Sequence, residues 1–240
     1  MQVVKYTDPQ LINSIEKDLR ESEYWIYLEK IINDIFKEYH CYVWGGAVRD
    51  SIVGLNYNKN LPIKDLDILI DDSKKCVDFK ESLQGLEGIF YTRFGSPKWK
   101  PIKGIEIDIV TFSNATMMRN KKNLSASLDV VLQSCDFTTS AIIYDPKEKV
   151  VHSCGAIEGI DKQEVDILYS EGDEMYVLLC RAILQAERLE FQKGPRAMQP
   201  IKEKYSSDMD DHIKKYMEYK GLEKKFDYVI QELKKIKESN

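Results

Sequence analysis

The chain has 240 residues, 43% hydrophobic and 31% charged, with a formal net charge of −5 at pH 7. This balance predicts a soluble globular protein, because no apolar run approaches the roughly 18 residues that would span a bilayer. The acidic charge argues against a broad phosphate-binding surface, since affinity for nucleic acid comes largely from Lys and Arg.

The cysteines, histidines and N-terminus bear on the cellular compartment. Five cysteines and three histidines are scattered along the chain, with no CxxC pair. We therefore expect reduced, largely buried thiols and no zinc site. The first ten residues lack the basic start and apolar stretch of a signal peptide. These features predict a cytoplasmic protein.

The pattern of apolar residues predicts alternating helices and strands in the first two thirds of the chain. Residues 8–38 read as two helices that would cap the elements after them, and 41–44 as a strand. Gly45 and Gly46 then form a tight turn into a short helix that ends at Gly54. Further predicted elements are strands over 61–70, 89–94, 105–112 and 139–144 and a helix over 74–84.

The remainder of the chain reads as helical. From Asp173 onward the apolar spacing is that of helices, with breaks at Gly194-Pro195 and Gly221. The apolar stripe of the last helix indicates packing against the domain or against a second copy of the chain. Four tyrosines of this tail carry hydroxyls that could prime a synthesis: Tyr205, Tyr216, Tyr219 and Tyr228.

Three carboxylates fall where a metal site would need them. Strand side chains alternate, so Asp65 and Asp67 share one face, about 7 Å apart along the strand. Asp108, on the strand predicted over 105–112, is the natural third ligand. Carboxylates in this arrangement suit a pair of Mg²⁺ ions, with Mn²⁺ as the alternative. Such a pair activates an attacking hydroxyl and neutralises the pyrophosphate that leaves a triphosphate.

The glycine turn could bind a phosphate. Gly45 and Gly46 precede a helix, so they offer backbone N–H groups and the positive end of the helix. Neither the glycine pair nor the Asp-x-Asp pattern is specific alone. Their combination and order carry more weight than either motif.

Two motifs together resemble a known family. Trp44-Gly45-Gly46-Ala47-Val48-Arg49-Asp50, followed by Lys64-Asp65-Leu66-Asp67-Ile68, is similar to the G-G-x-V-R-D and K-D-x-D signature of the head domain in class II CCA-adding enzymes and bacterial poly(A) polymerases, members of the polymerase beta-like superfamily. Further collinear matches at 93–96, 108–112, 136–141, 155–160 and 181–191 extend the resemblance over roughly residues 35–192.

This resemblance implies a fold and a division of the chain. The expected fold is α/β (α+β), with a small mixed sheet flanked by helices. A head domain of the nucleotidyltransferase type would span residues 1–160 and a helical neck and tail residues 161–240.

The resemblance also assigns site residues. Asp65 and Asp67 would bind the metals, with Asp108 as the third carboxylate. The remaining candidates would contact the nucleotide or support the site: Gly45, Gly46, Arg49, Asp50, Lys64, Asp136 and Arg181.

The chain departs from the family pattern in two motifs. The E-D-x-x-R motif, whose Asp and Arg read the incoming base, is replaced by Glu174-Met175-Tyr176-Val177-Leu178. An apolar pair cannot make those hydrogen bonds, so base choice rests on other contacts or is loose. The R-R-D motif is replaced by Ser134-Cys135-Asp136, so both of its arginines are missing. The usual handling of the sugar is therefore not expected, and deoxynucleoside triphosphates stay among the expected donors.

The leading hypothesis is a template-independent nucleotidyltransferase that uses an NTP or a dNTP. It would extend a nucleic-acid 3′ end or make a short oligonucleotide, such as an antiviral defence signal in bacteria. Alternatives are CCA addition to tRNA, nucleotide transfer to a protein or small molecule, and a non-enzymatic binding role. We expect no membrane partner, and a homo-oligomer or an effector partner is compatible with the sequence.

Overall fold

An eight-stranded mixed sheet lies at the centre of the computed structural model, which describes residues 1–120, 124–171 and 174–239. Its strands are β1 (Val4–Tyr6), β2 (His40–Trp44), β3 (Leu66–Asp71), β4 (Ile89–Tyr91), β5 (Pro97–Trp99), β6 (Ile107–Thr111), β7 (Ile142–Asp145) and β8 (Val150–Ser153). Their spatial order is β1-β8-β7-β2-β3-β6-β5-β4. Neighbouring strands run antiparallel except β3 and β6, which are parallel. Two short strands, β9 (Glu164–Val165) and β10 (Gln192–Lys193), pair separately.

Helices flank the sheet and form the C-terminal part. They are α1 (Pro9–Glu21), α2 (Trp25–Lys30), α3 (Gly46–Tyr57), α4 (Phe79–Ser82), α5 (Thr116–Asn120), α6 (Leu128–Gln133), α7 (Ala156–Asp161), α8 (Met175–Leu189), α9 (Pro195–Lys204), α10 (Asp210–Tyr219) and α11 (Phe226–Glu238). The α2 helix continues as a π-helical turn over Ile31–Ile35. No helix in the described part of the chain is both long enough and apolar enough to cross a bilayer.

The central strand β3 is covered on both faces. Leu66, Ile68 and Ile70 belong to one apolar core, which α1 and α3 share. Leu69, on the other face, packs in a second cluster that contains Leu132 of α6. Asp67 alternates with these residues on the same face as Leu69. Asp67 therefore lies on the face of β3 opposite the main core.

The C-terminal helices have an apolar core of their own. Its members come from α8 to α11 and include Leu179, Ile183, Ile201, Ile213, Met217, Val229, Leu233 and Ile236. Leu178, Ala182 and Ala186 of α8 instead join the main core. The α8 helix thus links the two cores, and the stripe predicted on the last helix packs within the chain. The division at residue 160 stays a prediction.

The expected fold class is confirmed, with differences at the ends of elements. Strand β3 begins at Leu66, not at residue 61, and the helix predicted over 74–84 is reduced to α4. The strand expected over 139–144 begins at Ile142, after a 3-10 turn. Asp173, the predicted start of the helical region, lies outside the described residues. Strands β1, β5 and β8 were not predicted; each has only three or four residues.

The prediction that helix α3 ends at Gly54 is wrong. The helix continues to Tyr57 and is followed by Asn58 in the left-handed conformation, with φ of 51°. A glycine inside a helix costs only about 1 kcal/mol, which tertiary packing outweighs. A Cβ on Gly54 would lie 3.0 Å from the carbonyl oxygen of Lys59, so the glycine admits a close approach of the returning chain.

The expected burial of the cysteines is confirmed. All five thiols are free; Cys41, Cys135, Cys154 and Cys180 are buried, and Cys76 is exposed. Burial raises the pKa of Cys41 to about 12 and that of Cys180 to about 12. The neutral thiol is therefore the dominant form at both positions, which is typical of cysteines that serve packing.

Candidate active site

The sheet brings the predicted carboxylates together beside the glycine bend. Parallel strands β3 and β6 pair in a register that places Asp67 directly opposite Asp108. Asp65 immediately precedes β3 and is exposed. A Cβ on Gly46 would lie 3.7 Å from Asp65 Oδ1, and a Cβ on Gly45 would lie 3.6 Å from Asp67 Oδ2. Both carboxylates therefore face the start of α3.

The bend itself depends on glycine. Gly45 has φ of +70°, a conformation that residues with a side chain rarely adopt. Its N–H donates to the carbonyl of Ile142 at 2.9 Å, which fixes the bend to β7. Helix α3 then begins at Gly46, and its positive end points toward negative charge nearby. The bend provides space for an anion, and the positive end of α3 offsets part of the negative charge of Asp65 and Asp67.

The pKa values of Asp67 and Asp108 are both raised. Burial raises the pKa of Asp67 to about 8, and the charges of Asp65 and Asp108 add to the effect. Burial also raises the pKa of Asp108, although Lys98 acts against it. Desolvation of the carboxylates is the main physical cause, and repulsion from neighbouring carboxylates adds to it. A bound cation would relieve this repulsion, so the chemistry of Asp65 and Asp67 fits a divalent metal.

Lys98 neutralises part of this negative charge. It lies on β5 directly opposite Asp108, and its Nζ is 3.1 Å from Asp108 Oδ1. The same Nζ contacts Glu106, which also binds Lys100 at 2.7 Å. Burial acts to lower the pKa of Lys98, but the bonds to Glu106 and Asp108 outweigh it and raise the pKa. Asp108 Oδ1 is held by Lys98, so this oxygen can join a metal site only by exchanging Lys98 for the metal.

Metal binding at this position needs some rearrangement. Within residues 1–120, 124–171 and 174–239, the structure contains no group of three or more His, Cys, Asp or Glu side chains placed to hold a metal ion. Asp65 and Asp67 lie free of the lysine contact that holds Asp108. They are the two residues best placed to take up a cation first.

Two arginines surround a buried carboxylate below the bend. Asp50 is only 2% exposed. Its Oδ1 accepts a hydrogen bond of 2.7 Å from Arg49 Nε, and its Oδ2 contacts Nη2 of Arg188 on α8. Removing one partner of a buried ion network is strongly destabilising because the other charge is left uncompensated. Asp50 therefore orients both arginines and joins α3 to α8.

A second ion pair joins α8 to the loop before β7. Arg181 forms an ion pair with Asp136, and its guanidinium also lies 5.7 Å from the centre of the Phe137 ring. Four residues further along the helix, Gln185 donates to Thr139 Oγ1 at 2.5 Å. Residues at spacing i, i+4 and i+7 share one helix face, so Arg181, Gln185 and Arg188 form a polar face of α8.

These groups line one cavity of about 390 Å³. Its walls are Trp44, Gly45, Gly46, Arg49, Asp65, Asp67, Thr116, Ser134, Cys135, Asp136, Ser140, Arg181, Gln185 and Arg188. Seven predicted site residues meet here, and Asp108 lies beside Asp67 in the sheet. Three arginines lie on the walls next to the carboxylates, and each of them is ion-paired, Arg49 and Arg188 with Asp50 and Arg181 with Asp136.

Lys64 is not part of this cavity. Its side chain is exposed, and its carbonyl accepts a hydrogen bond of 2.6 Å from the hydroxyl of Tyr24. It lines a separate cavity of about 720 Å³, together with Asp50 and residues of α1. A nucleotide-binding role for Lys64 stays a prediction.

Several lining residues were not selected from the sequence. Arg188 and Gln185 were missed, although three polar residues at helical spacing on the mostly apolar α8 could have indicated them. Ser134 and Cys135 were noted only as departures from the family motif. Thr116 gave no signal, because α5 reaches the cavity only through the tertiary fold.

The residues that replace the Asp and Arg of the E-D-x-x-R motif, Met175 and Leu178, do not line the cavity. Leu178 is 1% exposed and packs in the main core, so it does not line the cavity. Met175, the first residue of α8, is half-buried and packs against both apolar cores. Neither position can present a hydrogen-bonding group to a base. The nearest polar group of α8 at the cavity is Arg181, one turn further along the helix.

Comparisons with known proteins define the fold of the chain. No protein-family model matches it, and no curated protein does. Solved structures do match, among them a CCA-adding enzyme in apo form I, with 21% identity, a TM-score of 0.65, and coverage of 92% of this chain and 53% of that one. The chain therefore has the nucleotidyltransferase fold found in CCA-adding enzymes.

Two further matches contain ligands. A CCA-adding enzyme in complex with CTP has 21% identity, a TM-score of 0.60, and coverage of 85% of this chain and 47% of that one. The CCA-adding enzyme of Thermotoga maritima complexed with tRNA_CCA has 19% identity, a TM-score of 0.56, and coverage of 92% and 55%. This chain thus spans about half the length of the solved chains.

Proposed function

We propose that the chain is a metal-dependent, template-independent nucleotidyltransferase. It transfers an NMP or dNMP from a triphosphate to a hydroxyl, either at a nucleic-acid 3′ end or on a growing short oligonucleotide. The observation that carries this proposal is the position of Asp65 and Asp67 against the Gly45-Gly46 bend, with Asp108 paired opposite Asp67. The fold shared with CCA-adding enzymes supports it.

The residues of the cavity have separable roles in this reaction. The backbone N–H of Gly46, with the positive end of α3, binds the triphosphate, whereas the N–H of Gly45 already donates to the Ile142 carbonyl and fixes the bend. Arg181 and Arg188 face it from α8 and stabilise the charge that develops on its phosphates. Mg²⁺ held by Asp65 and Asp67, and by Asp108 once it releases Lys98, would lower the pKa of the acceptor hydroxyl and neutralise pyrophosphate.

The sugar and base contacts differ from those expected of a CCA-adding enzyme. Asp136 forms an ion pair with Arg181. Arg181 thereby replaces part of the function of the two arginines of the R-R-D motif, whose positions are Ser134 and Cys135 in this chain. Leu178 is buried, and neither it nor Met175 lines the cavity, so the two positions that read C and A in the family motif offer no donor or acceptor here. We infer loose base selection and acceptance of both ribose and deoxyribose donors. A short oligonucleotide with a signalling role in antiviral defence fits this relaxed chemistry.

Specific observations favour two alternative functions. Addition or repair of a CCA end is favoured by the fold of the matched tRNA-processing enzymes. Transfer to the protein's own tail is favoured by Tyr219, which is 83% exposed. Tyr205 is excluded as that acceptor because it is buried and its hydroxyl donates to Asp210 at 2.8 Å.

The test is incubation with each labelled NTP and dNTP and Mg²⁺, with and without tRNA or a single-stranded oligonucleotide. We expect a product ladder that EDTA abolishes and that Asp65→Asn plus Asp67→Asn reduces at least 100-fold, on the order of the loss for a missing charge-stabilising group. Asp71→Asn, at the other end of the same strand, is the matched control and retains activity.

Three outcomes would contradict the proposal. Strict CCA addition to tRNA would favour the first alternative and overturn the inferred loose base selection, and a single nucleotide on the protein would favour the second. Unchanged incorporation by the Asp65→Asn plus Asp67→Asn variant would remove the assignment of the metal site. Sequencing the products from a mixture of all eight triphosphates gives the base preference in the same experiment.

A further inference from the structure

Two large aromatic side chains are exposed on the hairpin at the edge of the sheet. The hairpin consists of β4 and β5, and β4 is the outermost strand. Phe90, in β4, is 57% exposed, and Phe94, in the turn, is 48% exposed. Aromatic rings usually bury their apolar area, so two exposed rings on one short hairpin point to an interaction surface. We call Phe90 and Phe94, with Arg93 and Arg119, the hairpin platform.

The first ring lies in line with the catalytic carboxylates. Phe90 pairs with Lys98 across the hairpin, and Lys98 pairs with Asp108, which pairs with Asp67. Directly paired residues have side chains on the same face of a sheet. Strands lie about 4.8 Å apart, so Phe90 is about 10 Å from Asp108. A nucleic-acid strand stacked at about 3.4 Å per nucleotide would cover that distance with about three nucleotides.

The second ring is flanked by two cationic groups. The guanidinium of Arg93 lies 4.6 Å from the centre of the Phe94 ring, and that of Arg119 lies 4.2 Å from it. Arg119 belongs to α5, and the first residue of this helix, Thr116, lines the catalytic cavity. The turn is held toward α5 because Asn114 donates to the carbonyl of Phe94 at 3.2 Å and to Ser96 at 2.6 Å.

The combination of rings and cations points to one kind of ligand. Proteins that bind single-stranded nucleic acid without sequence preference stack bases on aromatic side chains and bind the backbone with Lys and Arg. An acceptor strand also has to place its 3′ hydroxyl at the carboxylates, and the platform extends away from them along the sheet. The local positive charge of the platform contrasts with the acidic charge of the whole chain.

We propose that the hairpin platform binds the last nucleotides of a single-stranded acceptor, with Phe90 stacking on a base and with Arg93 and Arg119, held against the Phe94 ring, binding its phosphates. This inference rests on the proposed function, since it assigns the acceptor of the same site. It names a nucleic-acid strand, not a protein or a small molecule, as the molecule that receives the nucleotide. The stacking is tolerant of sequence, because every base has an aromatic face.

The test is equilibrium binding of a fluorescent 12-nucleotide RNA and its DNA counterpart, measured by anisotropy in EDTA without triphosphate. We expect Phe90→Ala plus Phe94→Ala to weaken binding at least 10-fold, from about 1–3 kcal/mol for the stacked base and from the loss of the ring that holds the two arginines. Tyr91→Ala is the matched control: Tyr91 is also exposed, but it alternates to the opposite face of β4. Its loss should change binding less than twofold. Phe90→Trp plus Phe94→Trp should restore binding.

The outcomes separate this inference from the proposed function. If wild type binds neither strand, or if the Phe and Tyr91 variants bind alike, the inference is overturned, whatever the transfer assay shows. If wild type forms a dimer that dissociates in the Phe variant without affecting nucleic-acid binding, the platform is a self-association surface and the inference is also overturned. Binding that depends on the rings, with no incorporation of nucleotide, would retain the inference and remove the proposed function.

Discussion

Ionisation of the Asp67 side chain is unfavourable in the candidate active site. Its pKa is raised to about 8 by burial and by Asp65 and Asp108, so the carboxyl is largely neutral at pH 7 in the metal-free protein. A folded protein maintains such a group only where packing elsewhere compensates for it. The site thus reduces stability in the absence of a cation, a pattern expected of functional residues.

Replacing Asp67 by Asn should stabilise the metal-free protein in a pH-dependent manner. Below about pH 4 the carboxyl is protonated in both the folded and the unfolded state, so it has no effect. Between that value and pH 8 only the unfolded chain ionises, so the free energy of unfolding of the wild type falls as the pH rises.

We therefore expect Asp67→Asn to be more stable than wild type in EDTA at pH 8 by at least about 1 kcal/mol. The difference should disappear near pH 4. Urea unfolding at both pH values is the measurement, with Asp71→Asn as the control. A wild type as stable as the variant at pH 8 would show that Asp67 is not under electrostatic strain.

The sequence was informative about site residues wherever local geometry decides their position. Alternation along a strand places Asp65 and Asp67 on one face, and the glycine pair identifies the bend. The partners supplied by distant segments could not be inferred in this way. Lys98 contacts Asp108 because β5 pairs with β6, and Arg188 reaches Asp50 across 138 residues of sequence. Such contacts depend on the tertiary fold.

At the scale of elements, α8 determines how the two parts of the chain are joined. Leu178, Ala182 and Ala186 face the main core, Leu179 and Ile183 face the C-terminal core, and the third face lines the cavity. Each position is therefore constrained by a different neighbour. This explains why the family's base-reading residues cannot simply be restored in this register.

Leu178→Arg should strongly destabilise the protein. Leu178 is 1% exposed, so the substitution would bury a charge that has no partner, at a cost of several kcal/mol. Met175→Asp should be tolerated because an acidic residue in the first turn of a helix interacts favourably with its positive end. Thermal unfolding of the two variants is the measurement. A stable Leu178→Arg variant that gains preference for C and A would contradict this account.

The elements that the sequence did not predict are short strands with distant partners. Strand β1 pairs with β8 between Val4 and Ser153, and β5 begins with a proline. Three or four residues give too little alternation to be distinguished from a loop. Longer runs with strict alternation, such as β3 and β6, were predicted because burial on one face is visible in the sequence itself.

At the scale of the whole molecule, the two apolar cores share α8 and should unfold together. Leu233 of α11 is fully buried in the C-terminal core. Leu233→Ala should lower the free energy of unfolding by about 2–5 kcal/mol. Tyr219→Ala, at a position 83% exposed, is the control and should change stability little.

Two probes can test this cooperativity. The three tryptophans, Trp25, Trp44 and Trp99, all lie in the first half of the chain, so their fluorescence reports on the sheet. Circular dichroism reports on all helices. We expect Leu233→Ala to shift both transitions to the same lower urea concentration. A shift in circular dichroism alone would mean that the C-terminal helices unfold independently.

The most direct test of the central claim is a crystal structure with Mn²⁺ and a non-hydrolysable triphosphate, with Mn²⁺ located by its anomalous signal. We expect Mn²⁺ to be bound by Asp65 and Asp67, the phosphates to lie at Gly45 and Gly46, and Asp108 to have turned from Lys98 to the metal. Mn²⁺ bound elsewhere, or a triphosphate in the cavity lined by Lys64, would contradict the account.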